Sequence, residues 1–352
     1  MSFEKLVEGQ RRLLERPAAL GKELSPFFDI ETTVSKRALD MGEKAIRLGK
    51  AGCIIAAGGQ GSRLKFEGPK GCFPLNAEGL TLFELFSKRA SLGSCPLAIM
   101  TSPSNHLQTT RFFQEKNYFE LDPGRFSFFE QGELPLLSEQ GEPLFKEDSK
   151  PFLAPNGNGD CFRSFYRSGI WERWRLQGIE AALFLQVDNA LADPLDAELI
   201  GLCLESGSDL SMRCLARKDP YEKMGLLVSE EGALRVVEYS EFPEEEFTAR
   251  GKRGSLKYLY ANISYFCFCM DFLQKMAEVE LPLHLAFKEV NYLDKKVMAW
   301  KFETFIFDCL PYASRARLLL TPKGVCFAPL KEMADKEVLE ELLKKQLNLR
   351  RM

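Results

Sequence analysis

Histidine is nearly absent from this chain: His106 and His284 are its only two in 352 residues. Ser-His-Asp relays, Cys-His relays and multi-histidine metal centres therefore have almost no material to work with. Long apolar runs are missing too. The longest, Tyr265 to Met270, is far shorter than the roughly 20 residues a membrane helix needs. Positive charge is not in excess either, with 47 Lys and Arg against 50 Asp and Glu, a net charge of −3. No global field is available to hold a nucleic-acid backbone, so neither nucleic acid nor membrane is expected as a partner. Cysteine is plentiful, at ten, but zinc spacing is absent. The one close pair, Cys267 and Cys269, falls on a single strand face among core residues. The thiols read as buried and reduced. Glu4, Glu8, Arg11, Arg12, Glu15 and Arg16 interrupt the first 19 residues, which no secretory segment tolerates, so a cytoplasmic location is expected.

What is present is a globular composition, 45% apolar and 28% charged. The length fits about two domains at roughly 150 residues each, or one large α/β domain with appendages. Residues 1–50 read as an N-terminal helical segment, with Phe3, Leu6, Leu13 and Leu14 at helical spacing and no strand pattern. From Ala51 short apolar runs alternate with helical periods: AGCIIAA, LTLFELFSKRASL, PLAIMTS, NHLQTTRFFQEKN, RFSFFEQ and AALFLQV. That alternation predicts an α/β fold with a mixed, mainly parallel sheet flanked by helices. Thr81 and Glu84 have capping-box spacing at one helix start. GLLV and ALRVVEY around SEEG predict a hairpin, and EFPEEEF after it reads as a solvated loop. The domain boundaries expected are 1–50, a catalytic domain over 51–315, and a short segment over 316–352 ending in a helix from about Lys331.

The segment AGCIIAAGGQGSRLKFEGPKG is the most informative stretch. It runs from a buried strand into a loop with Gly58, Gly59 and Gly61, followed by Arg63 and Lys70. Such glycines allow positive φ and bring backbone N–H groups close to an anion, and the two cations add permanent charge beside them. The carboxyl end of a strand in an open α/β sheet is also where ligands usually sit. A Rossmann fingerprint would need glycine at Leu64, and a Walker A loop would need G-K-[ST] at Gly68-Pro69-Lys70, so both fail. Phosphate binding of another type is expected.

GGQGSRL followed by GPKG resembles the signature of the eukaryotic-type UDP-sugar pyrophosphorylases, closest to the UDP-N-acetylglucosamine branch. FFEQGELP, APNGNG, QVDNALADP, VVEYSE, ANISYF, LPLHLAFK and KFETFIFD continue the resemblance in order, over roughly Ala51 to Leu330. It implies a Rossmann-like, nucleotide-diphospho-sugar transferase fold. The implied activity is a uridylyltransferase making a UDP-sugar and pyrophosphate from UTP and a sugar 1-phosphate, foremost N-acetylglucosamine 1-phosphate. Two alternatives are a UTP:glucose-1-phosphate uridylyltransferase and a nucleotide-sugar-binding protein without turnover.

The resemblance also assigns residues. Arg63, Lys70 and Lys301 become the catalytic cations, Lys301 through a phosphate contact. Gly58, Gly59 and Gly61 cradle the nucleotide phosphates, and Gln131 and Gly157 meet the uracil. Gln131 offers the donor and acceptor a uracil edge requires. Asn158 falls to ribose or sugar, Asn189 near the sugar phosphate, Glu241 to sugar hydroxyls and Asn262 to the 2-substituent. Asp188, directly after AALFLQV, is the implied Mg²⁺ ligand, since one strand-end carboxylate can hold a cation that otherwise keeps water and phosphate oxygens. His284 reads as structural. Three departures stand out: Lys65 where glycine is usual, Ala261 where glycine is usual, which would narrow the sugar pocket, and Glu130 for glutamine. After FAPLK one helix follows where the resembled enzymes continue into a further domain, so their oligomerisation is not carried over.

Overall fold

The computed structural model describes residues 2–15, 24–76, 78–251 and 254–349; parts of the expected 1–50 and 316–352 segments lie outside them. Four apolar runs form the parallel centre of the molecule: β1 (Ala51–Ala56), β2 (Leu97–Thr101), β3 (Phe126–Glu130) and β4 (Ala181–Gln186). β1 lies between β4 and β2, and β3 flanks β2, all parallel. Both faces of β1, β2 and β4 are covered, which is why they are apolar at nearly every position rather than at alternate ones, whereas β3 lies at the sheet edge and exposes Glu130. Cys53 and Ile55 of β1 point into one core cluster with Leu183 and Leu185, and Ile54 into the other with Ala182 and Phe184.

The sheet is continued by antiparallel pairing. β5 (Leu210–Ala216) runs along the whole of β7 (Tyr260–Cys269) on one side. On the other side, β4 takes only the Phe266–Cys269 half, and β6 (Leu226–Glu230) touches β7 at Ala261. β4 and β6 therefore part company beside Asn262–Ser264, where the register of β7 shifts and Ser264 takes φ +51°. This fork is where the site forms. β6 makes the expected hairpin with Ala233–Val237. A long hairpin, β8 (His284–Tyr292) and β9 (Lys295–Glu303), joins Leu137–Ser138 in a separate three-stranded sheet.

Helices close the faces. Thr81 accepts from the Glu84 amide at the start of Leu82–Ala90, but the Glu84 carboxylate pairs with Lys88, so only half of the expected capping box forms. The helix Lys36–Arg47 lies backbone to backbone on Ala197–Ser206: a Cβ on Gly42 would fall 1.9 Å from the Ala197 carbonyl oxygen, and one on Gly201 1.8 Å from that of Ala38.

Two expectations need correcting. The N-terminal stretch also holds a short strand, Leu24–Pro26, paired with β6. EFPEEEF is no solvated loop: it forms a 3₁₀ turn and the short helix Glu244–Thr248, and buries Phe242 and Phe247 against Tyr258. Apolar residues flanking an acidic triplet carried that signal. At the far end, Ala316–Leu320 pairs in parallel with β5, inside the central sheet. Among the described residues no helix is long and apolar enough to cross a membrane.

Candidate active site

The strand-to-loop transition after β1 is built by its neighbours. Asn105 donates to the carbonyls of Ala57 (2.9 Å) and Gly59 (3.3 Å), and Ser102 donates to that of Gly58 (2.8 Å). In a planar trans peptide the N–H opposes the C=O, so anchoring three consecutive carbonyls turns the following N–H groups away from Ser102 and Asn105. Ser102 and Asn105 were not singled out from sequence, although SPSN follows the adjacent parallel strand directly.

The glycines earn their places by close approach rather than by positive φ. A Cβ on Gly58 would sit 2.1 Å from Nε2 of Gln131, whereas Gly59 is open on that side. Gly61 (φ −81°) packs on Phe66, donates its N–H to the Gly68 carbonyl and is not among the residues that line the cavity. The positive φ values in this loop fall on Gly68 and on Lys65, at +52°.

The cavity, about 630 Å³, opens over the carboxyl ends of β1 and β4. Gly58, Gly59, Arg63, Lys70, Gln131, Gly157, Asn158, Asp188, Asn189, Asn262 and Lys301 all line it. Lys70 is buried, with Nζ 3.4 Å from the Asp188 carboxylate. Arg63 is exposed on the turn Ser62–Leu64. At one end, Gly157 takes φ +93°, and a Cβ there would meet the Thr304 carbonyl oxygen at 2.3 Å. Asn158 Oδ1 accepts from the Ile306 amide at 2.8 Å, lacing this loop to the segment after β9. Lys301 Nζ lies 2.7 Å from Glu303.

Three assignments shift. The Asn189 amide is engaged in structure, donating to the Cys326 carbonyl (2.9 Å) and accepting from the Ala328 amide (3.1 Å). It holds the Ala328–Leu330 strap over the cavity that it also lines. Glu241 does not line the cavity; Glu238, three residues earlier in the same VVEYSE motif, does. The Glu238 carboxylate lies over Gly225, where a Cβ would be 2.8 Å from Oε1. Burial, reinforced by the nearby Glu241 charge, raises its pKa. Ala261 points into the cluster of Leu226, Val228 and Val237, so its methyl does not narrow the cavity.

Glu241 is instead half of a clamp. His284 bridges it (Nδ1, 2.7 Å) and buried Asp308 (Nε2, 2.9 Å). Burial opposes the imidazolium, but the two carboxylates prevail and lift its pKa to about 10. Glu238, Lys223, Lys331, Phe305 and Phe307 also line the cavity and were not named from sequence, although FAPLK and KFETFIFD contain three of them.

The family model for UTP--glucose-1-phosphate uridylyltransferase matches residues 21–349. The chain belongs to this family. It is 35% identical over 341 residues to a protein of Schizosaccharomyces pombe described as a probable UDP-N-acetylglucosamine pyrophosphorylase, covering 88% of this chain and 72% of that one. It is 32% identical over 315 residues to UDP-N-acetylglucosamine diphosphorylase 2 of Arabidopsis thaliana, covering 83% of this chain and 63% of the relative. The fold matches the crystal structure of the uridine diphosphate N-acetylglucosamine pyrophosphorylase from Trypanosoma brucei in complex with inhibitor. The TM-score is 0.82 at 25% identity, over 96% of this chain and 75% of that one.

Proposed function

We propose that this family member transfers the uridylyl group of UTP to a sugar 1-phosphate, with N-acetylglucosamine 1-phosphate preferred, releasing pyrophosphate in a reducing cytosol. The observation that carries the reading is the buried Lys70–Asp188 pair, set at 3.4 Å beside the turned amides of the glycine loop. Family membership and the names of its relatives support the uridylyl chemistry.

An oxygen of the sugar phosphate attacks the α-phosphorus of UTP in line, the bond from that phosphorus to the β-bridging oxygen breaks, and pyrophosphate leaves. Such transfer needs positioning and charge neutralisation more than proton shuttling, in keeping with a chain of two histidines. Lys70 and Arg63 meet the charge that grows on the departing pyrophosphate. Lys301 holds the attacking phosphate. Gln131, Gly157 and Asn158 hold the nucleoside end, while Glu238 and Asn262 face the sugar.

Among the described residues no group of three or more metal-ligating side chains comes together. A single carboxylate nonetheless fits Mg²⁺, which completes its shell with water and substrate phosphates. Asp188 would be its protein ligand, and the ion would supply further neutralisation of phosphate charge.

A glucose 1-phosphate preference is the second reading, favoured by the description of the matching family. The deciding assay is pyrophosphate release from UTP and Mg²⁺ across a panel of sugar 1-phosphates. The highest kcat/KM is expected with N-acetylglucosamine 1-phosphate. Calorimetric binding of a UDP-sugar without turnover on any sugar would make the protein a binder instead.

A further inference from the structure

The loop that joins β5 to β6 begins at Arg217, and its last three residues, Lys223, Met224 and Gly225, line the cavity. They stand beside the sugar-facing groups: the Gly225 carbonyl accepts from the Asn262 amide at 2.9 Å, and Glu238 lies over Gly225. Phe327, Pro329 and Lys331, from the segment after Ala316–Leu320, also line the cavity. Asn189 holds this second segment, and its Leu330 amide donates to the Asp188 carbonyl at 2.8 Å. Two walls of one cavity therefore come from loops that are remote in sequence.

The first loop is fixed at its entry by buried Arg217, which donates to the carbonyls of Tyr258, Pro220 and Phe247. Glu222 fixes it again just before the cavity wall. Oε1 of Glu222 accepts from the amides of Lys218 and Asp219, each at 3.2 Å, which closes the loop into a turn. Oε2 accepts from Lys323 Nζ at 3.1 Å and so ties that turn to the second segment, 101 residues on. Burial opposes the Glu222 carboxylate, but Lys323 and the two amides prevail and hold its pKa below the ordinary value. The Lys323 side chain is 53% exposed, and an ion pair with one partner half in water adds little to global stability. What the pair can fix is the placement of one wall against the other. Neither Glu222 nor Lys323 is among the residues that line the cavity, so an effect on substrate passes through the walls they join.

We propose that Glu222 and Lys323 are positioning residues for the sugar, their ion pair setting the spacing between residues 223–225 and 327–331 around it. This rests on the uridylyltransferase reading above. Breaking the pair must then weaken ligands that carry the sugar and spare those that lack it.

The test is calorimetry of UDP and of UDP-N-acetylglucosamine on the full chain, with steady-state KM values beside it. Lys323→Met and Glu222→Gln, which keeps an oxygen for the two amides, should each weaken the UDP-sugar about fivefold, the scale of one partly exposed ion pair, and leave UDP unchanged. KM for N-acetylglucosamine 1-phosphate should rise alike while KM for UTP and Tm stay near the parent. Lys323→Arg should behave as the parent. The double variant should bind no worse than either single one, because both remove the same pair. Unchanged UDP-sugar affinity in either single variant, an equal loss for UDP, or losses that multiply in the double variant would overturn the inference. Should Glu222→Gln melt well below the parent, Lys323→Met against Lys323→Arg decides. A parent that binds the UDP-sugar yet makes none refutes the transferase reading alone, and the two calorimetric ligands still decide the role of the pair; a parent that binds neither refutes both.

Discussion

At the scale of single residues, the cavity separates groups that look alike in sequence. Lys70 is buried against Asp188, so its ammonium is already oriented when substrate arrives. Lys70→Ala should lower kcat by about 10², the typical effect of losing one preorganised donor. Single-turnover rates check this, and near-normal turnover would remove Lys70 from the mechanism. Asp188→Ala should abolish Mg²⁺-dependent UDP-sugar formation while the far-ultraviolet dichroism stays as in the parent; retained metal dependence would count against Asp188. Glu238 and Glu241 are a sharper contrast. Glu238 faces the cavity, so Glu238→Gln should raise KM for the sugar 1-phosphate about tenfold with little change in Tm. Glu241 touches His284, so Glu241→Gln should lower Tm and leave KM near the parent value. The reverse pattern would restore Glu241 to the sugar.

At the scale of elements, His284 ties the start of β8 to the turn after the β6 hairpin and to the 3₁₀ segment Ile306–Tyr312. Its pKa is raised from the ordinary value of 6.5 to about 10. The clamp is therefore fully present below about pH 6.5 and is lost as pH rises through about 10. Urea unfolding should show stability falling between pH 7 and 10, with a flatter profile in His284→Leu. That variant also leaves Asp308 buried without its partner, a loss of about 3–5 kcal/mol at neutral pH. A profile as steep as the parent's would show that other groups carry the dependence.

None of this clamp could be read from LPLHLAFK, because its partners lie 43 and 24 residues away. The strands were legible for the opposite reason. A run such as AALFLQV is buried on both faces, so its composition alone marks it. The glycine loop was legible as a phosphate cradle but not in its detail. Gly58 answers to Gln131, a neighbour that only tertiary structure supplies, and Gly61 to Phe66, five residues on, through the fold of the loop itself. The choice between Glu238 and Glu241 likewise turned on which way a 3₁₀ turn faces.

At the scale of the whole molecule, the cavity lining is drawn from Ala56 through Lys331. β1 leads into the glycine loop, the β8–β9 hairpin supplies Lys301, and the strap around Pro329 is held by Asn189. A ligand in this cavity touches segments that are distant in the chain and are joined through one sheet. UTP at 100 times its Kd should add about 2.7 kcal/mol to the unfolding free energy by mass action. Because both core clusters and the hairpin meet at the cavity, that gain should not stay in the glycine loop. Hydrogen exchange with Mg²⁺-UTP present should slow in β1, in the β8–β9 hairpin and in the segment around Phe327 together. Protection confined to residues 57–70 would mean that the triphosphate is held by the loop alone and that the fork between β4 and β6 plays no part in gripping the nucleotide.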